Sequence, residues 1–410
     1  MARRIDVTGA GGVRLAAWEF AEPPKDGHGA VGEGEEADKP FVPAQAERAE
    51  QGRAERAGPV EPAQSAQSAS SSRSAQAAGR QRLSAVPEHS GRAEGAERAA
   101  RPGHSAVSEH PGARETSGPS EHPAPPEHPA PPEHLAPSER PGPPGPADGR
   151  TASPRATGVL LLHGLMGRAS HWAGTARWLS GRYRAVALDQ RGHGQSDKPP
   201  SSALTREAYV DDAEAAVEQL GLGPVLVIGH GMGALTGWQL AARRPDLVRG
   251  LVICDMRASA LGAASQREWE EWFKAWPVPF ATLADVRKWF GEDDPWVDRP
   301  NPARGEFYAE VMHECPDGWR PVFEPADMLA SRETWVYDAH WEELTQVRCP
   351  ALVVRGLDGE LGRAEAQEMV RVLPRGQYAE VVDAGHLVHC DQPEAWRTAI
   401  TPFLESVLSP

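Results

Sequence analysis

From residue 158 onward the chain repeats one pattern. A short, unbroken apolar run is followed by a turn and then by a segment of helical periodicity. The run Gly158-Val159-Leu160-Leu161-Leu162-His163 holds no polar residue before its histidine. A strand with one wet face alternates polar and apolar residues, whereas a strand covered on both faces does not. Comparable strands are expected at 183–188, 224–229, 249–254, 351–355 and 378–382. Helices are expected at 205–220, 232–243, 363–373 and 393–407. Thr205 is placed to cap the first, and Gly221 and Pro245 lie where the first two stop. Before them, residues 5–8 and 13–20 alternate around Gly9-Ala10-Gly11-Gly12, which reads as a β-hairpin with a glycine turn. The order predicts an α/β fold: a doubly wound, mostly parallel eight-stranded sheet with helices on both faces.

One long stretch stands outside this pattern. No Phe, Trp or Tyr occurs between Phe41 and Trp172. Without aromatics or long apolar runs a segment cannot bury enough surface to offset its ordering entropy. Residues 24–155 are therefore expected to form a disordered insertion between the second and third strands. Within it Glu121-His122-Pro123-Ala124-Pro125-Pro126 recurs in part, a repeat too short and too rich in proline for a solenoid. Its seven histidines read as drift in a tolerant loop and not as a metal site. The remaining organisation is expected as a hairpin at 1–23, core segments at 156–255 and 347–410, and a helical cap at 256–346. The cap region is rich in tryptophan. Trp269, Trp272, Phe273 and Trp276 fall at i, i+3, i+4 and i+7, one face of a helix, and Trp269, Trp272 and Trp276 are candidates for a pocket wall.

Charge narrows the function classes. The formal net charge is −15, and the insertion, with its 15 basic and 19 acidic residues, leaves about −11 on the rest. No basic stripe suits a phosphate backbone, so no nucleic-acid partner is expected. The basic N-terminus has no apolar run behind it, and no eighteen-residue apolar stretch exists. Neither a signal peptide nor a membrane span is expected. Cys254, Cys315, Cys349 and Cys390 show no metal spacing and read as buried thiols of a cytoplasmic protein. Neither a metal nor a cofactor is expected, and a small molecule is the expected partner.

Four motifs occur in order: Leu162-His163-Gly164-Leu165-Met166-Gly167; Asp189-Gln190-Arg191-Gly192-His193-Gly194-Gln195-Ser196-Asp197; Gly229-His230-Gly231-Met232-Gly233; and Asp383-Ala384-Gly385-His386. Together they resemble the α/β-hydrolase superfamily, in particular its capped branch of esterases, haloperoxidase-like proteins, C–C bond hydrolases and epoxide hydrolases. The resemblance covers everything outside the insertion. It implies a strand–turn–helix elbow, G-x-S-x-G, that presents a nucleophile. Here the elbow's central residue is Gly231, which has no nucleophilic atom. The resemblance further implies an oxyanion hole from the N–H groups of Leu165 and Met232 and a general base at His386. The orienting carboxylate stays open: Glu360 has the better spacing, Asp358 is chemically equivalent, and Asp255 is a third choice. His163, His230 and His389 read as supporting residues, and residues 191–197 as a loop bracing the wall.

Loss of a triad nucleophile leaves only the catalysis that the hole and binding supply. An acyl-enzyme route is therefore closed to this sequence. Two readings follow. In one, His386 activates water or abstracts a proton from a small apolar ester, amide or carbonyl compound. In the other, the protein is an inactive relative that binds such a molecule as a receptor.

Overall fold

The computed structural model describes residues 2–21 and 157–408. The expected insertion at 24–155 lies outside them. Among the described residues one eight-stranded sheet has the order β1-β2-β4-β3-β5-β6-β9-β10. Strands β1 (Ala2–Thr8) and β2 (Arg14–Phe20) form the antiparallel hairpin, and β2 also runs antiparallel to β4 (Arg184–Leu188). The remaining strands, β3 (Gly158–Leu162), β5 (Val225–His230), β6 (Val248–Cys254), β9 (Ala351–Gly356) and β10 (Gly376–Val381), continue the sheet in parallel.

The unbroken apolar run of β3 feeds two separate cores. Leu160 and Leu162 point into one, with Val186, Leu188, Val227 and Ile253. Val159 and Leu161 point into the other, with Ala185, Ala187, Ile228 and Val252. Side chains alternate across a strand, so a strand covered on both sides must be apolar throughout. The first core is closed by helices α2 (Arg206–Gln219), α3 (Met232–Arg243) and α9 (Arg363–Val372). The second is closed by α1 (Ala173–Ser180) and α10 (Pro393–Leu408). Thr205 caps α2 by accepting from the Ala208 N–H at 3.2 Å.

Between β6 and β9 the chain leaves the sheet. It forms α4 (Gly262–Lys274), α5 (Leu283–Lys288), α6 (Pro302–Glu310), a small hairpin of β7 (Met312–Cys315) and β8 (Gly318–Pro321), then α7 (Pro325–Val336) and α8 (Trp341–Gln346). Its aromatic residues form a third core containing Trp272, Phe273, Trp276, Phe290, Phe307 and Tyr308. Met166 and Leu387, from loops beyond β3 and β10, join that same core. The excursion therefore packs against the loops at one end of the sheet. Its last part does not share this core: Trp335, Val336 and Leu344 pack with the sheet residues Ala351 and Val353.

Residues 189–212 are pinned by a buried ion pair. Arg191 donates to both carboxylate oxygens of Asp212 at 2.7 Å and also to the carbonyl of Ala10, while Asp212 accepts the Ala10 N–H. The hairpin turn, the loop after β4 and helix α2 thus meet at one charge-assisted network.

Candidate active site

Strand β5 ends at His230, α3 starts at Met232, and Gly231 between them has φ 50° and ψ −123°. The flanking glycines are required by close approach. A Cβ on Gly229 would lie 2.4 Å from the Gly233 carbonyl oxygen, and one on Gly233 would lie 2.4 Å from that of Leu162. Gly231 differs. A Cβ there would make ordinary contacts, 3.5 Å from His386 Nε2 and 3.7 Å from Gly164 Cα. The space for a side chain exists, and only the positive φ favours glycine.

His386 stands in the loop after β10. Its Nδ1 donates to Asp255 Oδ2 at 2.8 Å, which leaves Nε2 facing the elbow. Asp255 directly follows β6 and is fully buried. It also accepts the Glu360 N–H at 2.9 Å on Oδ2. The carboxylate on His386 is therefore Asp255, the third choice, and not Glu360, which spacing favours, nor Asp358. Asp358 is exposed and pairs with Arg299. Glu360 gives its backbone to Asp255 while its side chain stays exposed. The physical reason is strand order. Strands β6 and β9 are neighbours, so the loop after β9 lies beside Asp255 and donates N–H groups to it.

Burial works against charge on His386, but the nearby Glu360 carboxylate, then the bond to Asp255, outweigh it and hold the imidazole up at about 9. Burial keeps the histidines around this site neutral. Burial pulls His163 down to about 4, and its Nε2 accepts the Gln190 N–H while Nδ1 donates to the Gly164 carbonyl. Burial likewise takes His193 to about 3, and it accepts the Met166 N–H. These two rings brace residues 164–166. Burial holds His230 well below its ordinary value, and its Nε2 donates to the His386 carbonyl. His389 is stacked on Trp172 at 3.9 Å, and burial lowers it to about 3.

The N–H groups of Leu165 and Met232 bond to no protein group among the described residues. Met232 begins α3, where the first N–H groups have no intrahelical partner. Among the described residues, the non-glycine residues at positive φ are Met166, Asp255 and Asp383, all on the loops that carry this site. Strained backbone of this kind concentrates at functional sites. Trp272 and Trp276 are almost wholly buried in the aromatic core. Trp272 donates to Asp294 Oδ1 at 3.0 Å, and half-buried Trp269 packs edge-on against it. Among the described residues no group of His, Cys, Asp or Glu side chains is placed to hold a metal ion. Of the four cysteines only Cys254 is fully buried; the other three are half-buried. No helix of the described residues is long and apolar enough to cross a membrane.

Sheet order, elbow and the Asp255–His386 pair together define a hydrolase-type α/β protein. Residues 158–393, more than half of the chain, match the alpha/beta hydrolase fold family, and the chain belongs to that family. Among curated proteins it is 29% identical over 257 residues to 2-(acetamidomethylene)succinate hydrolase of Mesorhizobium japonicum, covering 60% of this chain and 88% of that protein. It is 26% identical over 253 residues to (E)-2-((N-methylformamido)methylene)succinate hydrolase of Acinetobacter baylyi, covering 60% and 90%. Among solved structures, E-2-(acetamidomethylene)succinate hydrolase superposes with a TM-score of 0.55 at 27% identity, covering 61% of this chain and 93% of that one.

Proposed function

We propose that the protein hydrolyses a small amide or ester without forming an acyl-enzyme, using His386 as the general base toward water. The carrying observation is the 2.8 Å Asp255–His386 bond, with Nε2 3.5 Å from the point where a Cβ of residue 231 would sit. In this reading neutral His386 takes a proton from water as its oxygen attacks the carbonyl carbon. The N–H groups of Leu165 and Met232 receive the developing oxyanion. Collapse of the tetrahedral intermediate expels the amine or alkoxide, which takes the proton back from Nε2. Asp255 holds the tautomer and steadies the imidazolium. The names of the two relatives support an amide class, since an acetamido or formamido group is an amide. The aromatic segment over the site acts as the cap in this proposal, the substrate is a free small molecule, and the unpaired cysteines suit a cytoplasmic setting.

The receptor reading draws on Gly231 alone. Turnover decides between the two. Hydrolysis of p-nitrophenyl acetate and of N-acetyl anilides, followed from pH 7 to pH 10, should rise with pH and vanish in His386→Ala. Saturable binding with no His386-dependent turnover at any pH would give the receptor reading the lead.

A further inference from the structure

Arg332 is a buried cation without an anion. It lies on α7 with 1% of its surface exposed. Its Nη1 donates to Gln266 Oε1 at 2.7 Å and its Nη2 to Ser265 Oγ at 2.6 Å, both neutral acceptors. Its Nε has no partner. Among the described residues no carboxylate is bonded to it; Glu360 and Glu268 reach it only through space. The rings of Trp269 and Trp335 lie 4.8 and 5.4 Å from the guanidinium carbon.

Of the other buried arginines among the described residues, Arg191 has Asp212 and Arg355 has Glu380. Arg206 also uses neutral acceptors and leaves Nη1 without a partner, but its acceptor Gln239 is in turn bonded to Glu343. Gln266, the equivalent acceptor for Arg332, passes its own amide to the Leu329 carbonyl and not to an acid. A guanidinium withdrawn from water with one donor unused and no counter-charge is destabilising. Cation–π contact with two tryptophans offsets part of that. Burial accordingly pulls the group down to about 10.

Its location ties it to the elbow. The preceding residue, Ser331, touches Met232 Sδ at 3.6 Å and Tyr209 Oη at 2.9 Å, and Met232 directly follows Gly231. The Glu360 charge acts through space on both Arg332 and His386.

We propose that Arg332 is the recognition point for a carboxylate on the ligand, so that the protein takes small amides or esters that also carry an acid group. The planar guanidinium suits a carboxylate, and a ligand would supply the charge that the fold withholds. The tryptophan faces on either side would cover the adjoining apolar part. This rests on the elbow and His386 being the ligand's other contact, as argued above.

The test compares succinamate, which has one amide and one carboxylate, with its neutral counterpart succinamide, by calorimetry on the full chain. Succinamate is expected to bind about tenfold or more tighter, the range of a charge-assisted hydrogen bond. Arg332→Gln should bring the two ligands to equal affinity. Equal affinity in the unsubstituted protein overturns the proposal without any variant. A preference that survives in Arg332→Gln overturns it too, as does no saturable binding of either compound at millimolar concentration. The two proposals fail separately. His386-dependent hydrolysis with no carboxylate preference removes only the Arg332 assignment. A preference lost in Arg332→Gln, with no turnover at any pH, removes only the hydrolytic one.

Discussion

At residue 231 the missing group is a side chain and not a space. A Cβ would sit 3.5 Å from His386 Nε2, so Gly231→Ser should bring a hydroxyl within hydrogen-bonding reach of the base. Ester hydrolysis is expected to rise by roughly tenfold or more, with a burst of product in stopped-flow assays. The cost should be about 1 kcal/mol of stability, because serine must accept a positive φ. A folded variant with no gain at any pH would show that the remaining parts no longer work together. In the proposed reaction the proton on His386 sets the pH at which either form acts. With the group at about 9, roughly one molecule in a hundred holds the neutral base at pH 7, and half do at pH 9. Activity should climb across that interval. The same shift bears on stability with a definite sign. The folded-state value lies above the ordinary 6.5, so the stabilisation is complete below about pH 6.5 and is lost as pH rises through about 9. The melting temperature of the unsubstituted protein should therefore fall more between pH 6.5 and 10 than that of His386→Gln. Glu360→Gln should lower the His386 midpoint, which an NMR titration of its ring protons reads directly.

Among the elements, the network of Arg191 and Asp212 is where one substitution should do most harm. Asp212→Leu leaves Arg191 buried at 1% exposure with its carboxylate gone. Urea denaturation should show a loss of about 3–5 kcal/mol, the usual effect of breaking a buried pair from one side. A change under 1 kcal/mol would mean that the carbonyls of Ala10 and Ala203 suffice for the guanidinium. Most elements of the sheet were legible in the chain, because a doubly covered strand must be apolar throughout and a helix start needs a cap such as Thr205. Helix α1 was not. It is entered through a short 3₁₀ turn and carries Gly174 in its first turn, so no clean periodicity announces it. The β7–β8 hairpin has strands of only 4 residues each, too short to show alternation, although Pro316-Asp317-Gly318 is a recognisable turn sequence. The acid at His386 was ambiguous for a different reason. Counting residues beyond β9 cannot show that Asp255, on the neighbouring strand, occupies Nδ1 first. Arg332 gave no signal at all, since only packing reveals that a helix arginine lacks a counter-ion.

On the scale of the whole molecule, the sheet accounts for how the chain can be interrupted after β2. Phe20 pairs with Ala185, and Gly158 pairs with Arg184. The chain thus departs and returns on either side of the first residues of β4, about two strand spacings or roughly 10 Å apart. Six or so glycine and serine residues span that distance easily. A protein with residues 24–155 replaced by such a linker should keep its circular dichroism spectrum and melt within about 5 °C of the full chain. A larger drop would mean that the removed segment contributes to the stability of the sheet. Strand β3 begins at this junction with Gly158 and ends at Leu162, one residue before the loop of His163, Gly164 and Leu165 that adjoins the elbow. Junction and candidate site thus occupy opposite ends of one rigid strand. The junction is a natural splice point: a reporter domain, an affinity module or a surface anchor could be grafted there, and the elbow and His386 would be left as they are.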